Sequence, residues 1–163
     1  ARQQRLAGIQ AKLKEYGLED NLEVLCHEGE EEYDYRSIHP FEYDTGYELA
    51  MEKLKYNKKT TAFIGANDMI AVGIIAAIRD MGKSIPKDYS VCGFDNIFTS
   101  IVCCPTLTTV DHHLNLRGKA AVDMIISKVE SDAKKSSTLI TPLVSKIEYE
   151  PQLIVRESTG PVK

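Results

Sequence analysis

The sequence predicts an α/β fold, a parallel sheet with helices on both faces. Three observations point there. Apolar residues at helical spacing alternate with short apolar runs of strand length. Gly or Pro falls where those helices should stop. The 163 residues, 43% hydrophobic and 27% charged, suffice for an ordinary core, with no internal repeat or low-complexity tract. Alternation of this kind is the pattern of βαβ units.

In chain order, Leu6, Ile9, Leu13 and Tyr16 recur at helical spacing, and Gly17 follows as a stop. Residues 22–26 form a short apolar run that reads as a strand. An acidic stretch, 28–34, comes next, with Glu30, Glu31 and Glu32 in a row. It reads as a solvated loop; a hard cation is the other reading, without EF-hand spacing. Asp44 or Thr45 is placed to cap a helix that buries Leu49, Met51 and Leu54. Residues 61–64 read as a strand. Asn67 or Asp68 caps the following helix, whose inner face carries Ile70, Ile74, Ala77, Ile78 and Met81, and Gly82 stands where a C-terminal cap glycine belongs. Pro86 blocks a return to helix, residues 89–93 make another strand, and 107–110, after Pro105, form a third extended run. A helix over 116–129 turns Leu116, Ala120, Ala121, Met124 and Ile125 inward. Residues 131–137 are turn-like, and two extended pieces, 146–149 and 153–155, flank Pro151.

Twenty basic residues against twenty-four acidic give a net charge of -4. A duplex-binding surface needs clustered Lys and Arg, so this balance argues against direct contact with nucleic acid. No apolar run is long enough to cross a bilayer, and no signal peptide opens the chain; residues 1–4 read as helix interior. The cysteines are Cys26, Cys92, Cys103 and Cys104. Cys92 lies in an apolar strand, where a reduced, buried thiol is usual, and the adjacent pair Cys103-Cys104 lacks C-x-x-C spacing. These features read as a reduced, cytoplasmic protein.

In an open α/β sheet, ligands bind just beyond the carboxyl ends of the strands. Two polar pairs fall there, Asn67-Asp68 after residues 61–64 and Asp95-Asn96 after 89–93. An amide and a carboxylate on neighbouring strand ends can together bind vicinal hydroxyls. Equally, Asp68 can cap a helix and Asp95 can open a turn. No G-x-S-x-G elbow, Walker loop or H-E-x-x-H is present, and Gly65 and Gly73 make no dinucleotide fingerprint. His112 and His113 beside Asp111 suggest metal only weakly, because successive side chains of an extended segment face opposite ways. His27 and His39 have no spaced partner. The chain reads as a binding protein rather than an enzyme, without metal or cofactor.

Five segments in series are similar to one family. They are Arg5-Leu6-Ala7-Gly8; Gly65-Ala66-Asn67-Asp68 with Ala71 and Gly73; Val91-Cys92-Gly93-Phe94-Asp95-Asn96; Pro105-Thr106-Leu107-Thr108-Thr109-Val110; and the terminal Leu153-Ile154-Val155-Arg156-Glu157-Ser158-Thr159-Gly160. Their order and spacing resemble the lactose and galactose repressor type of bacterial transcription regulators, with a longer acidic loop between Cys26 and Phe41 as the departure.

The resemblance implies a periplasmic-binding-protein-like sensor: two α/β subdomains, a cleft between them, and a homodimer. It assigns residues 1–109 and 153–163 to the second subdomain and 110–152 to part of the first. It implies that Arg5 is the cleft arginine, Asn67 the polar residue after a strand, Asp95 the aspartate that holds sugar hydroxyls or a base edge, and Phe41 the aromatic that stacks on the ligand ring. The effector is then a small molecule, a sugar or else a nucleobase. Operator DNA is expected to be bound only through a helix-turn-helix head that this sequence lacks, along with most of the first subdomain and the strand that should lead into Arg5. A solute-binding protein of a sugar transporter shares the fold and is the alternative; the Val155-Arg156-Glu157-Ser158-Thr159 run favours the regulator.

Overall fold

The computed structural model describes residues 2–26, 41–56, 59–134 and 146–162. Its elements are helix α1 (Arg2–Glu15), a single 3-10 turn (Glu19–Asn21), α2 (Phe41–Tyr56), β1 (Ala62–Ile64), α3 (Asp68–Asp80), β2 (Ser90–Phe94), α4 (Thr99–Val102), β3 (Thr108–Asp111), α5 (Leu114–Lys134) and β4 (Gln152–Ile154). The strands form one sheet in the order β1-β2-β3-β4. The first three are parallel, with Ile64 opposite Cys92 and Phe94 opposite Val110. β4 is antiparallel to β3, pairing Leu153 with Val110, so the returning end of the chain makes the sheet mixed.

The core lies between one face of this sheet and α3. Along β2 the burial alternates, Val91 and Gly93 inside and Ser90, Cys92 and Phe94 half-buried. Helix α3 supplies the opposing surface with Ala71, Ile74, Ile75, Ala77 and Ile78, all buried, and Phe63 and Leu107 complete it. Such a stripe at helical period against alternate strand residues is what the sequence pattern predicts. The helix starts with the Asn67 side chain accepting from the Ile70 N–H at 2.9 Å, and it ends at Gly82, whose φ of +68° suits glycine.

Helix α2 packs on the outer side of α3 at very short range. A Cβ on Gly46 would overlap the carbonyl oxygen of Ile70, and one on Gly73 would overlap that of Tyr43. Each helix thus presents a glycine to the other's backbone. Tyr47 adds a hydrogen bond to Asp80 at 2.9 Å.

The end of the chain is sewn into the sheet by Ser158, which has no solvent exposure. Its hydroxyl donates to the Val91 carbonyl at 2.6 Å and accepts from the Thr108 N–H at 2.8 Å. Its backbone accepts from Val91 N–H and donates to the Thr106 carbonyl. One serine therefore links the starts of β2 and β3.

Several expectations need correction. Residues 22–26 lie outside the sheet; among the described residues they have no ladder partner, and an apolar run becomes a strand only when another strand pairs with it. Asp44 and Thr45 do not cap α2, which begins at Phe41; the Thr45 hydroxyl instead donates to the Phe41 carbonyl one turn back. Leu116, Ala121, Met124 and Ile125 are exposed rather than inward, and the helix runs on to Lys134 through the expected turn at 131. Residues 146–149 are not a strand. Periodicity specifies which side of a helix is apolar, but burial requires a surface to meet it. The acidic stretch 28–34, His27 and His39 lie outside the described residues.

The α2–α3 contact yields a stability prediction. Gly73→Ala should destabilise the protein by about 1–3 kcal/mol or more, the range for forcing atoms into a packed site. Gly8→Ala, which meets open space on the exposed side of α1, should instead be neutral or slightly stabilising. Urea denaturation of the two variants beside wild type measures both.

Candidate functional site

The carboxyl ends of β1, β2 and β3 lead into Ala66-Asn67, Asp95-Asn96 and Asp111-His112 respectively, and parallel pairing sets these three ends side by side. Helix α1 delivers Arg5 to the same edge. Its guanidinium donates to Asp95 Oδ1 at 2.7 Å and to the Ala66 carbonyl at 2.5 Å. It also lies 4.9 Å from the centroid of the Phe94 ring. The fork of an arginine suits such a divided role, since one nitrogen can hold a carboxylate while the other holds a carbonyl. Arg5 and Asp95 retain 22% and 23% side-chain exposure, so both remain within reach of a ligand.

Asp95 is presented by a turn of unusual geometry. Its φ is +103° and that of Asn96 is +50°, a region that residues with a Cβ seldom enter unless their surroundings hold them there. Here they are held from several sides. The Asp95 N–H donates to the Val110 carbonyl at 2.9 Å. Asn96 accepts from Arg156 at 2.7 Å and donates to Asp111 at 3.1 Å. Arg156 is anchored in turn on the Leu107 carbonyl at 2.7 Å and the Ser100 hydroxyl at 3.2 Å.

Beneath the turn is Asp68, fully buried. It accepts from the Ile97 N–H at 2.9 Å and the Thr109 hydroxyl at 2.5 Å. It thereby joins the first turn of α3 to the loop after β2 and to β3. Burial pushes its carboxyl above the ordinary range, and the Thr109 and Ile97 donors pull the other way. Asp111 moves down instead, chiefly because the His113 N–H donates to it at 2.6 Å.

Of the four residues singled out in the sequence, Arg5 and Asp95 are in direct contact. Asn67 is beside the contact, one residue from the Ala66 carbonyl, with its side-chain oxygen engaged as the cap of α3. Phe41 opens α2 and is 42% exposed. Asp68, paired with Asn67 in the sequence reading, is a structural group below the site. His112 is an addition: its ring stacks on Phe94 with centroids 6.0 Å apart and planes 12° apart, and its Nε2 is 4.0 Å from Asp95 Oδ1. Its position after β3 is the one signal of this in the sequence. Among the described residues no group of three or more His, Cys, Asp or Glu could hold a metal ion, and no helix is long and apolar enough to cross a membrane.

A model of the periplasmic binding protein-like domain matches residues 1–159. The chain belongs to that family. Within the periplasmic binding protein-like family it is similar to the HTH-type transcriptional repressor PurR of Glaesserella parasuis, 36% identical over 118 residues, which is 72% of this chain and 34% of that protein. It thus spans about a third of the length of the curated relatives it matches. Its fold is that of a LacI family transcriptional regulator from Enterococcus faecium with bound ribose, TM-score 0.79 at 24% identity over 99% of this chain and 53% of that one. A second LacI family regulator, from Enterococcus faecalis and also with bound ribose, is 27% identical with a TM-score of 0.64, covering 77% of this chain and 43% of its own. The chain is thus similar in sequence and fold to regulators of the lactose-repressor type, as its motifs imply.

The buried carboxylate gives a prediction with a pH sign. Asp68→Asn replaces one of two acceptor oxygens by an N–H₂, which either meets the Ile97 N–H or makes the Thr109 hydroxyl accept instead of donate, so it should destabilise by about 1–3 kcal/mol. A carboxyl whose value is raised by folding contributes stability that is fully present below about pH 4 and is lost as the pH rises through the raised value. The gap between wild type and Asp68→Asn should accordingly narrow from about pH 4 towards neutrality. Urea melts of both proteins across that range test it.

Proposed function

We propose that this chain is the effector-sensing part of a bacterial transcription regulator and that it binds a small polyhydroxylated molecule, a sugar, beyond the carboxyl ends of β1, β2 and β3. The observation that carries this reading is the Arg5–Asp95 pair. A partly exposed carboxylate accepts from two hydroxyls at once, and a guanidinium beside it donates to a third oxygen. Phe94, under the guanidinium, and Phe41, as the ring-stacking wall, supply apolar cover for the other side of a sugar. Asn67 completes the polar set, its amide N–H₂ taking no part in the cap.

The relatives support this reading, since two of the similar structures carry bound ribose and PurR is named as a repressor. A nucleobase is the second ligand class that the same donor and acceptor set could take. The protein acts by binding, without catalysis. Operator DNA is contacted by a helix-turn-helix part in the portion of its relatives' length that this chain does not span. The working state is a homodimer in the cytoplasm. We assign residues 1–109 and 153–163 to one side of the effector cleft and 110–152 to the other, in keeping with the exposed apolar residues along α5.

Isothermal titration with D-ribose should show binding that weakens by roughly 2–5 kcal/mol in Asp95→Ala and Arg5→Ala, the range for removing one partner of a charge pair that the bound ligand covers. Equal affinity in wild type and both variants would place the effector elsewhere. Fluorescence anisotropy with operator-length duplexes should show no sequence-specific binding by residues 1–163, whose net charge is -4; salt-sensitive, sequence-specific binding would mean that the DNA contact lies within this chain.

A further inference from the structure

The Nε2 of His112 is buried and has no hydrogen-bond partner, one of only two such side-chain atoms among the described residues. A buried polar atom left unpaired is costly, so its position needs a reason. The ring is not free to turn away to solvent. It is stacked on Phe94, and its side chain is only 19% exposed. Asp95 Oδ1, the same oxygen that Arg5 holds at 2.7 Å, lies 4.0 Å from Nε2. Two donors thus converge on one carboxylate, and only one of them is satisfied. A movement of Asp95 by about 1 Å would bring it within hydrogen-bond range of Nε2.

We propose that His112 is a positioning residue of the effector site, the group that takes hold of Asp95 when Arg5 turns its donors towards a bound ligand. This rests on the sugar-binding reading given above. In the present arrangement Arg5 neutralises Asp95 directly. A ligand oxygen that draws the guanidinium away would leave the carboxylate with fewer donors. With its proton on Nε2, His112 supplies the replacement, and its stacking on Phe94 keeps that N–H aimed at Asp95. The carboxylate is then held in one orientation for the ligand hydroxyls. His113 cannot substitute for it, because its ring lies against Tyr149 and its Nε2 is 3.1 Å from the Glu150 carbonyl.

The test is a double-mutant cycle read by isothermal titration of D-ribose. His112→Phe keeps a ring on Phe94 and removes the donor; His112→Gln restores a donor at nearly the position of Nε2. We expect His112→Phe to weaken binding about tenfold or more and His112→Gln to stay within about threefold of wild type. We also expect Asp95→Ala with His112→Phe to bind no worse than Asp95→Ala alone, because His112 acts through Asp95. If Asp95→Ala weakens binding while His112→Phe leaves it unchanged, or if the two losses multiply, the role of His112 is refuted and the effector site stands. If neither Asp95→Ala nor His112→Phe alters the affinity, the effector site and the role of His112 fall together.

Discussion

Asp68 carries no exposure to water, yet three parts of the molecule are arranged around its two oxygens. It belongs to the first turn of α3, it accepts from the backbone of Ile97 in the loop after β2, and it accepts from Thr109 in β3. A buried carboxylate is tolerated only where donors replace the lost water. That requirement obliges helix, loop and strand to keep their mutual distances. Position 93 is glycine because a Cβ there would overlap the Asp68 carboxylate. The loop that Asp68 grips is the one that presents Asp95, so the internal constraint reaches the Arg5–Asp95 pair.

Above this level sits a second layer of polar contacts, built from Arg156, Asn96 and Asp111. Arg156 arrives from the end of the chain, 60 residues away from Asn96. It spans the Leu107 carbonyl, the Ser100 hydroxyl and the Asn96 side chain, and so holds the positive-φ turn at Asp95 and Asn96 in place. The terminal segment is therefore more than a closing strand. Ser158 fastens it to β2 and β3, and Arg156 uses that fixed point to support the site. A third group, Arg5, Phe94 and His112, surrounds Asp95 itself.

Much of this is legible in the residues. The βαβ alternation, the cap glycine at 82 and the inner face of α3 follow from periodicity and turn chemistry, which act over a few residues. Arg5 and Asp95 come together in the sequence only through the resemblance to a family, since 90 positions separate them and no local rule connects them. Asn67 and Asp68 are equivalent candidates for one cap until the fold separates them: Asn67 takes the cap, and Asp68 goes inward. His112 is easily passed over, because adjacent histidines make a poor metal site. His112 faces Asp95, whereas His113, at a φ of +55° just before α5, turns its ring to Tyr149 and the Glu150 carbonyl.

What the sequence determined by itself was the alternation of β1, α3, β2 and β3, the stop of α3 at Gly82, and which sides of the helices are apolar, because these depend on backbone and side-chain preferences within one turn or one strand. Tertiary structure decided which apolar surfaces are buried and which polar groups meet. Residues 22–26 and the apolar residues of α5 have the composition of buried elements, but no described neighbour covers them. Ser158, a residue type at home on a surface, lies at zero exposure because two strands each leave a backbone group that its hydroxyl satisfies. Burial and pairing are properties of two partners at once, and a single chain segment specifies only its own half.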